Sequence, residues 1–226
     1  MGLRRSGEPT VDPVERLGSM GLIPVVKIDQ PSQAVPLAEA LLTGGLPCAE
    51  ITFRTAAAEE SIRLISHAYP EIVLGAGTVL TTAQAQQAAD AGARFIVSPG
   101  FDLKVVEWCQ THSLAVFPGV ATPTEIQMAL DKGLDLLKFF PAEALGGIPM
   151  LEAVAAPFNG VRFIPTGGIS ATNLAAYLSL PMVFAVGGSW LVTAKLLSAG
   201  AFEEIRRLTQ EAVAIVDRVR QKRGQA

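Results

Sequence analysis

The chain has 226 residues, half of them hydrophobic and 17% charged, and its 18 Lys and Arg stand against 21 Asp and Glu for a net charge of −3. So much apolar material excludes wholesale disorder, and so even a charge balance argues against nucleic acid as a partner, because neutralising phosphates needs a basic excess. No apolar run reaches the roughly 18–20 residues of a membrane span, two cysteines make no disulfide framework, and two histidines leave little material for a zinc site.

Residues 1–12 (MGLRRSGEPTVD) are polar and unpatterned and read as a flexible tail ahead of a single domain over 13–226. The tail lacks the apolar segment of a secretory signal, so a cytoplasmic location is expected. Met1-Gly2 with Ser6 fits the myristoylation pattern, which is short enough to arise by chance. Asp12–Met20 is a candidate helix. From Leu22 onward one rhythm recurs, a short apolar β-branched run followed by a helical stretch rich in Ala, Leu, Glu and Gln. The predicted strands are Leu22–Ile28, Cys48–Phe53, Ile72–Gly77, Phe95–Pro99, Leu114–Gly119, Leu136–Phe140, Arg162–Gly167 and Val183–Ser189, spaced roughly every 19–26 residues. The predicted helices are Gln33–Thr43, Ala57–Tyr69, Thr82–Ala91, Leu103–His112, Pro123–Lys132, a weaker stretch over 148–156, Thr172–Ser179 and Phe202–Arg223. Thr81, Asp102, Thr122 and Ser170 are placed as their caps. The basic end, Arg218, Arg220, Lys222 and Arg223, reads as a solvated last helical turn.

Apolar strands bounded by Gly and Pro suit a parallel sheet buried on both faces. Eight such strand–helix units predict a (β/α)8 TIM barrel with an N-terminal helix before the first strand. An open doubly wound sheet would carry a G-x-G-x-x-G turn after its first strand, where this chain has Lys27-Ile28-Asp29-Gln30.

In a barrel, chemistry belongs at the C-terminal ends of the strands. On the second strand Glu50 and Arg54 share one face with Cys48 and Thr52, opposite Ala49, Ile51 and Phe53. Burying a carboxylate there requires a partner, and a structural Glu50–Arg54 pair is one reading. Lys138 lies among large apolar residues in Leu136–Pro141, where lysine is rare. A desolvated ammonium gives up its proton more readily, and free amine attacks ketones; the other reading is a lysine snorkelling to the mouth as a structural cation. Thr78 follows Gly75-Ala76-Gly77 at the mouth. The turns Ser98–Phe101 and Phe117–Val120 read as rigid connections. Gly167-Gly168 and Gly187-Gly188-Ser189 end the last two strands, and paired glycines expose backbone N–H groups to an anion where this fold commonly binds phosphate. Trp190 reads as packing, His67 and His112 as surface residues, and Cys48 and Cys109 as small core hydrophobes. With no metal-ligand spacing in the chain, carbonyl chemistry is expected to rest on the amine.

Pro24-Val25-Val26, Glu50–Thr55 (EITFRT), Gly75–Leu80 (GAGTVL), Ser98–Phe101 (SPGF), Pro118-Gly119-Val120 with Thr122–Glu125 (TPTE), Lys138–Glu143 (KFFPAE), Pro165–Ile169 (PTGGI) and Gly187–Leu191 (GGSWL) occur in this order. Together they resemble the 2-keto-3-deoxy-6-phosphogluconate (KDPG) / 4-hydroxy-2-oxoglutarate (KHG) aldolases, the class I pyruvate aldolases of the Entner–Doudoroff route. The resemblance implies that Lys138 forms the Schiff base and Glu50 is the general acid/base. It assigns the pyruvyl carboxylate to Arg54 and Thr78, and the phosphate to Gly167, Gly168, Gly188 and Ser189. It implies no cofactor beyond the imine, a phosphorylated keto acid and pyruvate as ligands, and a homotrimer. Lys27 stands where some relatives carry arginine, either as a second cation at the mouth or as a surface lysine. Two other classes would fit the same strand ends: a phosphosugar isomerase or synthase, which does not need Lys138 as an amine, and a non-catalytic phosphosugar-binding barrel.

Overall fold

A computed structural model describes residues 12–224. Asp12, read both as the end of the tail and as the start of the candidate helix Asp12–Met20, caps the first helix, α1 (Pro13–Met20), by accepting a hydrogen bond from Val14 N at 2.9 Å. The remainder of the tail, with its myristoylation pattern, lies outside the described residues.

Every predicted strand forms, and all of them pair in parallel. Strands β1 (Leu22–Val26), β2 (Cys48–Thr52), β3 (Val73–Gly77), β4 (Phe95–Val97) and β5 (Ala115–Phe117) join β9 (Val186–Gly188) in the order β5-β4-β3-β2-β1-β9. A second sheet runs β6 (Gly119–Val120), β7 (Leu136–Phe139), β8 (Arg162–Pro165). The expected fifth strand is thus divided between the two sheets at Pro118, which has no N–H to give to a ladder. Its carbonyl still accepts from Lys138 N at 3.0 Å. At the other side, isolated bridges Phe163↔Val183 and Thr166↔Gly187 set β8 beside the β9 segment. The architecture is an α/β fold on a curled parallel sheet in two pieces, not a ladder continuous through eight strands.

Helices α2 (Ala34–Thr43), α3 (Ala58–Ala68), α4 (Thr82–Ala91), α5 (Leu103–Thr111), α6 (Pro123–Leu130), α7 (Gly147–Ala155), α8 (Leu174–Leu178), α9 (Ala194–Ser198) and α10 (Phe202–Gly224) connect and follow the strands. Thr81 and Asp102 cap as expected, and Thr122 forms a reciprocal capping box with Glu125. Ser170 does not cap. Asn173 folds back to accept from Ser170 N at 2.8 Å, so 170–173 is a turn and α8 starts only at Leu174. The short α9, capped by Thr193, was not expected.

The strands are buried on both faces, with Leu22, Ile51, Phe95, Phe139 and Phe163 among the fully enclosed side chains. Two of the basic residues at the chain's end are more than solvated. Arg220 donates to Gly18 O and Arg223 to Leu180 O, tying α10 to α1 and to the turn after α8.

Candidate active site

The strand ends enclose a cavity of about 250 Å³. It is lined by Val25 from β1, Glu50 and Thr52 from β2, Lys138 from β7 and Gly187 from β9, and by residues just past the ends of β2, β3, β4, β7, β8 and β9. Among the described residues no group of three or more His, Cys, Asp and Glu side chains is arranged to hold a metal ion.

Strand register explains why a carboxylate and an ammonium meet here. Glu50 lies in β2 opposite Val25 and Gly75, and Lys138 lies in β7 opposite Gly119 and Ile164. Both point into the cavity. Their side chains are 4% and 6% exposed, with Lys138 Nζ 3.6 Å from Glu50 Oε1. Lys138 Nζ also lies 4.9 Å from the centre of the Phe140 ring, whose face attracts a cation. Glu50 Oε1 accepts no hydrogen bond among the described residues, so a lone pair is available. Of the two readings of β2, the structural Glu50–Arg54 pair does not form among the described residues. Arg54, just beyond the end of β2, lines the cavity from its exposed rim and donates to Thr52 Oγ1 at 3.3 Å.

Gly77 makes the arrangement possible. A Cβ at that position would lie 1.9 Å from Glu50 Oε1, so the carboxylate occupies the space of a missing side chain. The next residue, Thr78, lines the cavity with φ 56°, a left-handed conformation uncommon for a β-branched residue.

Most of the expected phosphate residues face the same cavity. Gly167 and Gly168, with φ 101° and 80°, line it together with Ser189. Gly188 does not. Its Cα is covered by Trp190, whose ring lies 1.9 Å from where a Cβ would be, while Gly187 lines the cavity instead. Thr52, Thr166 and Ile169 also line it and were not singled out in the sequence; each lies within two residues of a position that was. Lys27 stands apart from the cavity, paired with Asp29 at 2.6 Å and 40% exposed. His67 and His112 are exposed, the latter stacked on Trp108. Both thiols are buried, and burial pushes Cys48 up and Cys109 up to about 12, so neither is a ready nucleophile.

Residues 14–208, a span holding every residue named in the cavity, match the family model described as KDPG and KHG aldolase. The chain belongs to that family. Among its aldolase relatives is the 2-dehydro-3-deoxy-phosphogluconate aldolase of Treponema pallidum, 50% identical over 202 residues, or 89% of this chain and 96% of that one. Two solved family structures are also similar. The KDPG aldolase of Legionella pneumophila, with pyruvate captured at low pH as a covalent carbinolamine intermediate, is 40% identical. It superposes with a TM-score of 0.85 over 88% of this chain and 97% of that one. The aldolase of Zymomonas mobilis ZM4 with 3-phosphoglycerate is 41% identical, with a TM-score of 0.83 over 89% and 95%.

Proposed function

We propose that this chain is a metal-independent class I aldolase that reversibly cleaves 2-keto-3-deoxy-6-phosphogluconate to pyruvate and glyceraldehyde 3-phosphate, and that 4-hydroxy-2-oxoglutarate is a second substrate, giving pyruvate and glyoxylate. The observation that carries this is the buried amine of Lys138, held 3.6 Å from the Glu50 carboxylate in the cavity at the strand ends. Lys138, once its ammonium has passed a proton to Glu50, attacks the C2 ketone to form a carbinolamine, and loss of water, with that proton returned to the departing hydroxyl, leaves an iminium that draws electrons from C3. The C3–C4 bond breaks as Glu50, directly or through a water, takes the proton of the C4 hydroxyl. The aldehyde leaves, the enamine is protonated at C3, and water hydrolyses the imine to release pyruvate. Glu50 serves several of these transfers because its free lone pair lies beside the nitrogen. In the same reading Arg54 and Thr78 hold the pyruvyl carboxylate, the guanidinium offering a fork that matches two oxygens. Gly167, Gly168 and Ser189 hold the phosphate, with Gly187 in the place expected of Gly188. No cofactor takes part beyond the imine itself.

The wider reading takes residues 13–226 as one domain closed into a (β/α)8 barrel. Treating β5 and β6 as one strand bent at Pro118, and the two bridges from β8 as the last seam, closes the ring. It also takes the chain as a cytoplasmic homotrimer. Exposed Leu80, Leu103 and Met128 lie on or beside the consecutive helices α4, α5 and α6, and such an interface would cover them. Light scattering on the purified chain tests the trimer, and a monomeric mass overturns it.

Borohydride reduction in the presence of pyruvate, read by intact mass and peptide mapping, tests the chemistry. The expected result is a reduced pyruvyl adduct on the Lys138 peptide. An adduct on Lys27 keeps the reaction class and overturns the site; no adduct on folded protein overturns the amine mechanism.

A further inference from the structure

Glu143 lies just past β7, in a turn of 3-10 helix over Glu143–Leu145, and does not line the cavity. It is nevertheless bound to the turn that does. Glu143 N donates to Gly167 O at 3.0 Å and Ala142 N to Thr166 O at 2.8 Å. A Cβ on Gly168 would lie 2.5 Å from the Cβ of Glu143, so the backbone of that glycine rests on the stem of the glutamate. The carboxylate end is held from α8, where the fully buried Tyr177 donates its O–H to Glu143 Oε1. Asn173 Nδ2 donates to Gly168 O at 3.3 Å and steadies the far side of the same turn.

The ring of Tyr177 explains its burial, but the hydroxyl needs a different account. A hydroxyl in a core is a liability without an acceptor. Its acceptor here is an acidic side chain directly beneath a turn of exposed N–H groups. A carboxylate free to swing toward that turn would compete with any anion bound there by hydrogen bonding and by repulsion. Burial first, and then the hydrogen bond and charge of Glu143, push the phenol's pKa well above its ordinary value, so it stays a donor at any pH at which the enzyme would work.

We infer that Glu143 and Tyr177 form a positioning pair that sets the affinity of this aldolase for phosphorylated substrates: Tyr177 holds the Glu143 carboxylate, and the stem of Glu143 holds the Gly167–Gly168 turn in its anion-binding shape. This rests on the reading that the turn binds the substrate phosphate. The pair touches neither the reacting carbons nor Lys138, so it acts on binding and not on the chemical step.

The test compares Tyr177→Phe, Glu143→Gln and Ser189→Ala in the full chain. The phosphorylated keto acid is set against unphosphorylated 4-hydroxy-2-oxoglutarate, with 3-phosphoglycerate as competitive inhibitor. Tyr177→Phe keeps the ring and loses the bond. It is expected to raise KM for the phosphorylated substrate and the inhibition constant of 3-phosphoglycerate by about 10-fold, the scale of one hydrogen bond to a charged group. The kcat and both constants for the unphosphorylated substrate are expected to stay unchanged. Glu143→Gln still accepts from the phenol and carries no charge, so it is expected to bind the phosphorylated substrate as well as the parent or better. Equal losses on both substrates, or no loss in Tyr177→Phe while Ser189→Ala raises KM, overturn the pair and leave the phosphate reading standing. No effect of Ser189→Ala overturns that reading and the pair with it. Should Tyr177→Phe fail to fold, Glu143→Ala at its exposed position gives the same readout with the same expected rise.

Discussion

On α10, Arg207 reaches Glu204 at 2.6 Å and Glu211 at 2.5 Å, while the pair in the cavity, Lys138 with Glu50, is held at 3.6 Å. Length ranks these pairs in the reverse order of their consequence. The α10 residues are about half exposed, and water and salt screen them to near nothing. The cavity residues have given up water, and their attraction offsets only part of what that removal costs. One region holds its charges for solubility and a little helix support. The other holds two charges at some expense to the fold, at a distance long enough for a substrate atom or a water to share them.

The sharpest way to break this contrast is Lys138→Met. Turnover and pyruvate trapping are expected to vanish in an activity assay and a borohydride assay. Chemical denaturation is expected to show a loss of about 3 kcal/mol, because Glu50 is left buried without its counter-charge. The double variant Lys138→Met/Glu50→Leu is expected to regain that stability while staying inactive; if it stays as unstable as the single variant, the account of the pair is wrong. Glu50→Gln keeps the shape of the side chain and removes the base, so kcat is expected to fall by about 10²–10⁴ with little change in KM.

Gly77→Ala asks whether the space beside Glu50 matters. A Cβ there has to displace the carboxylate, since it would lie 1.9 Å from Oε1. A fall in kcat of about 100-fold is expected from misplacing the base, with a stability loss of about 1–3 kcal/mol from overpacking. Unchanged kinetics would show that Glu50 works from another position. The smallest effect belongs to Arg207→Ala, where thermal unfolding is expected to match the parent within error at moderate salt. A clear drop in the midpoint would erase the contrast between the two regions.

Much of this fold is legible in the sequence, because its signals are local. Thr81, Asp102 and Thr122 announce helix starts within three residues of the amides they bond. The α10 pairs follow from spacing of three and four residues on one helix face. Ser170 misled for the same local reason: a capping side chain was present, but Asn173 bonds the backbone of that turn first. Lys138 stood out in sequence because an ammonium inside Leu136–Phe140 contradicts its surroundings.

By itself the sequence determined the strand–helix rhythm, most caps, the side of β2 that carries Glu50, and the oddity of Lys138, all of which depend on neighbours along the chain and on periods of 2 and 3.6 residues. Only the tertiary structure decided who meets whom. It paired Glu50 with Lys138 and left Arg54 on the rim, opened Gly77 for a carboxylate from the neighbouring strand, and turned Gly188 under Trp190 while Gly187 faced the cavity. It also set Glu143 and Tyr177 beneath the Gly167–Gly168 turn. Alternation says which face a side chain takes. It is silent about which strand or helix supplies the atoms on the other side, because that depends on how the sheet curls and where Pro118 breaks its ladder.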